Sequence, residues 1–142
     1  IAKGYAVDEA LKIIHKAGIR SALVTGGGDV RVGEAPPGKS AWLIAGKGRN
    51  AAKELVDNEL LISDKAVSTS GDTYRFLEWE GKRYSHIIDP RTGLGIEHQQ
   101  FTQVMGPRST LTDALATAAN VMPPVERNCL AKKFPKYLIV QY

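Results

Sequence analysis

Two short segments that alternate apolar and polar residues constrain the fold of this chain most. They are residues 74–80 and 83–88, and Gly81-Lys82 lies between them. Alternation with a period of two is typical of a strand with one buried face, and a two-residue connection containing glycine predicts a β-hairpin. Strands joined by so short a turn pair antiparallel. The segment therefore predicts antiparallel β-structure.

Helices and further strands are predicted on both sides of this hairpin. Helical spacing of apolar residues predicts a first helix that ends at Gly18, with Asp8 and Glu9 near its start. The order of elements predicts an α+β fold with a mixed, largely antiparallel sheet and packed helices, in a single domain over residues 1–142. The predicted helices are 7–17, 111–122 and 125–133, with weak helical character over 50–56, and the other predicted strands are 21–25, 30–32, 41–45, 59–62, 66–68, 101–105 and 137–141.

Composition narrows the class of partner. The net charge is +4, but the basic residues are spread along the chain without interleaved aromatic residues, so no nucleic-acid partner is predicted and a small anionic ligand fits the charge. No apolar run approaches the roughly 20 residues that a membrane-spanning helix needs. The single cysteine, Cys129, forms no internal disulfide, and we predict a packing role for it in the third helix. Because the chain begins at Ile1, we expect it to be a piece of a longer protein.

The segment SHIIDPRTG, residues 85–93, concentrates chemically active side chains around a proline and a glycine. An imidazole such as that of His86 can bind a pyrophosphate or move a proton. Arg91 is suited to a phosphate, but it can also simply pair with Asp89 in a turn. Both interpretations of Arg91 are open at this point.

Asp113 and Thr117 lie four residues apart on the second predicted helix and therefore share a face. A carboxylate and a hydroxyl in this arrangement can ligate Mg²⁺ and leave positions open for phosphate and water. The alternative is that Asp113 caps the helix.

Two further clusters follow predicted strands. The segment STSG, residues 68–71, offers hydroxyls in a predicted loop and can donate hydrogen bonds to phosphate oxygens or a flavin ring, although an ordinary polar turn has the same composition. The segment GGGD, residues 26–29, predicts a sharp turn that exposes backbone amides to a ligand or merely connects two strands.

The segments KGYAVD (3–8), GGGD, STSG, HIIDPRTG (86–93) and DALATA (113–118), in this order, resemble the C-terminal half of the ApbE family, the Mg²⁺-dependent FAD:protein FMN transferases. The resemblance implies a T-fold-related architecture in which two halves enclose FAD, so the N-terminal half would be absent from this chain. It implies transfer of FMN from FAD to a Thr or Ser hydroxyl of a partner flavoprotein, with release of AMP. It also implies a location in the periplasm or at the outer face of the cytoplasmic membrane, often with a lipid anchor.

The resemblance also implies roles for individual residues. His86 would be catalytic at the pyrophosphate, and Asp8 would bind FAD, on its adenosine side. The main-chain carbonyl of Leu11, or that of Ala10, would complete the metal site. The implied FAD-binding residues are Lys3, Asp8, Ser70, His86 and Arg91, and the implied metal ligands are Leu11, Asp113 and Thr117. Three alternatives are open: an FAD pyrophosphatase that forms FMN and AMP, an FAD-binding module without transfer activity, and a folded domain that is inactive by itself.

Overall fold

Three helices and nine strands make up the part of the chain that the computed structural model describes, residues 1–49, 54–71, 75–98 and 100–142. The helices are α1 (Ala2–Lys16), α2 (Ser109–Val121) and α3 (Pro124–Lys133), and the strands are β1 (Leu23–Gly26), β2 (Asp29–Val32), β3 (Trp42–Arg49), β4 (Leu55–Ile62), β5 (Ala66–Gly71), β6 (Phe76–Trp79), β7 (Lys82–Ser85), β8 (Phe101–Gly106) and β9 (Leu138–Gln141). Within these described ranges, each helix falls short of the combined length and apolarity that a membrane crossing requires.

A five-stranded sheet with the order β1-β2-β5-β8-β9 forms the centre of the fold. Every pairing in it is antiparallel, and Val67 lies opposite Met105 while Ser68 lies opposite Val104. Since side chains alternate along a strand, these two pairs point to opposite faces. β3 pairs only with β4, and β6 only with β7, among the described strands. The predicted α+β fold with a largely antiparallel sheet is confirmed.

The two faces of the central sheet are covered by different elements. On one face Val32 and Val67 pack against Ile44 of β3 and Ile62 of β4. On the other face Val104 packs against α2 through two buried side chains of that helix, Leu115 and Ala116. α1 packs beside α2 and against β1 and β2. The polar residues predicted on α2 therefore lie on the side of the sheet that this helix covers.

Gly4 is the point where α1 touches α2. A Cβ atom at this position would lie 2.2 Å from the carbonyl oxygen of Ser109 and 2.8 Å from the Cβ of Asp113. No side chain fits such a distance, so glycine is required for this helix crossing. The Gly4 amide also donates a hydrogen bond of 3.0 Å to Asp113 Oδ2. The crossing thus brings the first turn of α1 onto a carboxylate of α2.

Two predictions about helices are wrong. α1 begins at Ala2, so Asp8 and Glu9 lie in its middle rather than near its start. The weak helix over 50–56 is contradicted in its described part, because Leu55 and Val56 begin β4 and pair with the end of β3; residues 50–53 lie outside the described residues. Pairing with a neighbouring strand therefore overrides the local helical preference of this segment.

Two further predictions are corrected by tertiary packing. The segment STSG is not a loop: it belongs to β5, where Ser70 pairs with Thr102 of β8. Cys129 lies on α3 as predicted, but it is exposed, so its predicted packing role is wrong. α3 contacts the core through Leu130, which lies on another side of the helix. The predicted hairpin is confirmed as β6 and β7, but its turn is at Glu80-Gly81 rather than Gly81-Lys82, and its second strand ends at Ser85 rather than at residue 88; residue 74 of the first predicted segment lies outside the described residues.

Candidate functional site

A polar cavity of about 680 Å³ lies between the start of α1, β5, α2 and the segment that follows β7. It brings together five of the predicted site residues: Lys3, Ser70, His86, Asp113 and Thr117. These residues come from four separate parts of the sequence, and the cavity also includes Asp29 and Arg75. We describe this cavity below as the polar pocket.

Asp113 is the buried carboxylate of the polar pocket. Its Oδ2 accepts a hydrogen bond from the Gly4 amide at 3.0 Å, and its Oδ1 lies 3.4 Å from Lys3 Nζ. Burial raises the pKa of the Asp113 carboxyl, whereas the hydrogen bond from the Gly4 amide and the charge of Lys3 lower it. Asp113 does not cap α2, because it is the fifth residue of that helix and its side chain points to α1.

Asp29 is a second buried carboxylate that the sequence reasoning did not single out. A two-residue turn at Gly27 and Gly28, both with positive φ, joins β1 to β2 and places Asp29 at the first position of β2. Its Oδ2 lies 3.4 Å from Lys3 Nζ. Burial raises the pKa of the Asp29 carboxyl, and a hydrogen bond from Ser68 and the charge of Lys3 offset this only in part. The GGGD segment could have indicated this position, because a tight glycine turn reverses the chain and places the residue after it at the start of the next strand.

Lys3 lies between the two carboxylates. Burial lowers the pKa of its ammonium group, but Asp29 and Asp113 outweigh burial, so the pKa is raised above its ordinary value. The ammonium is therefore charged at neutral pH. Its side chain runs close over Gly27, where an added Cβ would lie 2.7 Å from Lys3 Cδ.

Hydroxyl groups line the wall of the polar pocket next to Asp113. Thr117 lies one helical turn after Asp113, and its Oγ1 donates to the Asp113 carbonyl oxygen and lies 3.2 Å from Ser70 Oγ. Ser68 Oγ is 2.8 Å from Thr112 Oγ1. Alternate residues of β5 thus face α2, and this alternation explains the spacing of the serines in STSG.

His86 follows β7, where its ring is held by a backbone carbonyl. Its Nδ1 lies 3.0 Å from the carbonyl oxygen of Arg75, and its own amide donates to the same oxygen at 3.1 Å. A carbonyl oxygen only accepts, so Nδ1 carries the proton of the neutral ring and Nε2 keeps its lone pair. The exposed imidazole can therefore take up a proton at Nε2 without losing its anchor.

Asp8 does not line the polar pocket. Its carboxylate accepts hydrogen bonds from the Ser109 amide at 2.8 Å and from the Thr110 amide at 2.9 Å and hydroxyl at 2.6 Å. It therefore caps the start of α2 from another helix, at the end where negative charge is favourable. Arg31 Nε lies 3.7 Å from Asp8 Oδ1.

Leu11 and Arg91 also lie outside the polar pocket. Leu11 is buried in the middle of α1 and lines a different cavity, together with Asp8. The carbonyls of Leu11 and Ala10 lie inside α1, where a regular helix pairs them with amides four residues on. Arg91 pairs with Asp89 at 2.7 Å and donates to the Val121 carbonyl at 3.2 Å, so it ties its turn to the end of α2.

The oxygen atoms of the polar pocket suit a divalent cation. No group of three or more His, Cys, Asp or Glu side chains is placed to hold a metal ion among the described residues. The donors are instead the carboxylates of Asp29 and Asp113 and the hydroxyl of Thr117, which are of the oxygen type that Mg²⁺ prefers. Asp29 Oδ2 is buried, and within the described part of the chain it has the ionic contact with Lys3 at 3.4 Å but no hydrogen bond of regular geometry. The pocket therefore contains acceptor oxygens beyond those that its own donors satisfy, and its residues fit Mg²⁺.

Several known proteins are similar to this chain in sequence. The profile of the ApbE family matches residues 1–140. The chain is similar to the FAD:protein FMN transferase of Vibrio cholerae, with 35% identity over 123 residues that cover 86% of this chain and 37% of the relative. The corresponding enzyme of Escherichia coli K12 is 34% identical over 129 residues, covering 87% of this chain and 36% of the relative. The chain spans about two fifths of the length of the curated relatives it matches.

Solved structures show the same fold. The flavinyl transferase ApbE of Pseudomonas stutzeri in its apo form superposes with a TM-score of 0.80 at 32% identity, covering 99% of this chain and 43% of that one. The ApbE protein of Thermotoga maritima superposes with a TM-score of 0.81 at 33% identity, covering 99% of this chain and 47% of that one.

Proposed function

Since the chain belongs to the ApbE family, we propose that it carries the catalytic face of an FAD:protein FMN transferase. In this reaction the FMN part of FAD passes to a Ser or Thr hydroxyl of a partner flavoprotein, and AMP is released. The observation that supports the proposal most is the polar pocket, where a histidine whose Nδ1 is held by a backbone carbonyl lies in the same cavity as a charged lysine and buried carboxylates. The relatives that match the chain carry the same activity in their names.

The pyrophosphate of FAD is the anionic group that the polar pocket would bind. Lys3 supplies a positive charge and Ser70 a hydroxyl donor, whereas the Thr117 hydroxyl donates to the Asp113 carbonyl oxygen and offers its lone pairs to the pocket. Asp113 and Thr117 would hold Mg²⁺, with Asp29 beside them. When bound, Mg²⁺ would neutralise charge on the pyrophosphate and make AMP a better leaving group. Lys3 keeps the two carboxylates from repelling each other, because it pairs with both.

His86 would act as the general base. The acceptor hydroxyl oxygen attacks the phosphorus on the FMN side of the pyrophosphate, and its proton passes to His86 Nε2. The bond between that phosphorus and the bridging oxygen breaks, and AMP leaves with the bridging oxygen. The Arg75 carbonyl keeps the ring in place and stabilises the imidazolium through Nδ1.

The proposal is tested by incubating the chain with FAD, Mg²⁺ and a flavin-accepting carrier protein. Covalent flavin is read as fluorescence of the carrier in a denaturing gel, AMP is quantified in the same sample, and EDTA is the metal control. We expect a fluorescent carrier band and AMP in equal amounts, both abolished by EDTA. Labelling that persists in EDTA would refute the metal requirement. AMP without labelling would make water the acceptor, and neither product would refute the activity of this chain.

His86→Ala tests the role of the histidine. We expect transfer to slow by about 10²-fold or more while FAD affinity is retained, because a general base contributes this much to a proton-transfer step. His15→Ala is the matched control, since His15 is half-buried, its ring also contacts a backbone carbonyl, at Arg20 O, and it does not line the polar pocket. Equal transfer rates in the two variants would refute the assignment of His86.

A further inference from the structure

An apolar groove of about 650 Å³ runs along the β6–β7 hairpin and ends at His86. Its walls include Leu77 and Trp79 of β6 and Leu94 of the following loop, which are 62%, 63% and 57% exposed. Single exposed apolar side chains are common on protein surfaces, but a contiguous apolar patch marks an interaction site. We call this feature the hairpin groove.

The hairpin groove exists because the β6–β7 hairpin is not part of either core. All four residues of β6 are exposed, and among the described strands β6 pairs only with β7. The outer edge of β6 therefore offers backbone amides and carbonyls to another extended chain, with side chains of Leu77 and Trp79 on one face. An edge of this kind binds extended peptides by strand addition.

The hairpin groove and the polar pocket meet at the catalytic histidine. Arg75, His86 and Ile88 line both cavities. A chain lying in the groove would thus reach the imidazole from the apolar side, while the pyrophosphate occupies the side that contains Lys3 and Asp113. The transfer reaction needs this arrangement, since its two substrates must meet at one base.

We propose that the hairpin groove is the docking surface for the acceptor protein, which lays an extended segment with apolar residues next to its reactive Ser or Thr along β6. The proposal rests on the proposed function. The groove ends at His86, the base that a new acceptor hydroxyl must reach in every turnover of the proposed reaction, so the end of the groove has to be vacated after each transfer. The occupant must therefore bind and leave once per transfer, which is the behaviour of an acceptor substrate.

The double variant Leu77→Ser and Trp79→Ser tests the proposal, because both side chains are exposed and neither lines the polar pocket. We expect the KM for the carrier protein to rise by about 10-fold or more, with kcat and FAD affinity unchanged. Leu61→Ser is the matched control, since Leu61 is 71% exposed on β4 of the other hairpin. It should leave the KM for the carrier unchanged.

A binding measurement separates docking from catalysis. The probe is the same carrier with its acceptor residue replaced by alanine or valine, labelled with a dye and titrated by fluorescence anisotropy. It should bind the parent chain and bind the double variant about 10-fold more weakly or worse. If the parent chain binds the carrier but transfers no FMN to the carrier that keeps its acceptor residue, the proposed function is refuted while the docking surface stands.

Three results would overturn the docking proposal. They are equal carrier affinity in the parent and the double variant, a fall in kcat at unchanged KM, and a parent dimer that dissociates in the double variant while the KM for the carrier stays the same. The last result, read by sedimentation, would make the groove an interface between copies of this chain.

Discussion

Gly4→Ala is expected to destabilise the fold even though alanine is the better helix former. The added Cβ would lie 2.2 Å from the Ser109 carbonyl oxygen, whereas ordinary contacts begin at 3.4 Å. The two helices must therefore separate by about 1 Å, and overpacking of this kind costs ~1–3 kcal/mol. The same movement weakens the hydrogen bond from the residue 4 amide to Asp113, and a hydrogen bond to a charged group is worth ~1.5–3 kcal/mol.

Helix propensity acts in the opposite direction but is smaller. Alanine in place of glycine gains at most ~1 kcal/mol in a helix interior, so the net loss of unfolding free energy is expected to be about 3 kcal/mol. Ala6→Gly is the control, because Ala6 is an exposed residue of the same helix. This variant should lose roughly 1 kcal/mol through propensity alone.

The measurement is urea unfolding followed by far-ultraviolet circular dichroism for the parent and both variants. If only propensity mattered, Gly4→Ala would gain about what Ala6→Gly loses. A Gly4→Ala variant as stable as the parent, or more stable, would refute the reasoning, because it would show that α1 and α2 do not approach as closely as the structure places them.

Four further substitutions test other parts of the molecule. Asp8→Ala should lower the unfolding free energy by about 2 kcal/mol, because α2 loses its cap, and should leave FAD affinity unchanged. A variant with full stability but reduced FAD affinity, measured by flavin fluorescence, would instead support binding of the adenosine side of FAD by Asp8. Asp113→Asn and Thr117→Val should each raise the Mg²⁺ concentration needed for half-maximal transfer with unchanged circular dichroism, and a parental Mg²⁺ titration would remove that residue from the metal site. Burial raises the pKa of Tyr137, so Tyr137 deprotonates first in the unfolded state and the unfolding free energy of the parent falls as pH rises past 10. Tyr137→Phe should lose less unfolding free energy over the same pH interval. Equal falls in unfolding free energy with pH for the two proteins, measured by urea unfolding, would contradict this.

Local patterns predicted the elements that depend on neighbours in the sequence. The β6–β7 hairpin and the helices α2 and α3 follow from alternation and helical spacing, and the structure contains all of them. The same patterns failed where distant pairing decides conformation. STSG has the composition of a turn, yet hydrogen bonding to β8 makes it a strand, and the residues around Leu55 became a strand by pairing with β3.

The sequence by itself determined which chemical groups the chain carries and the family to which it belongs, since motif order and spacing are properties of the linear chain. Only the tertiary structure decided which of these groups share one cavity. Lys3 meets Asp113 across 110 positions of sequence, and Asp29 joins them because a glycine turn directs β2 beneath α1. Asp8, five residues after Lys3 in the same motif, faces the start of α2 instead. Residues five apart on a helix point in different directions, and the packing of α1 on α2 determines what each one contacts.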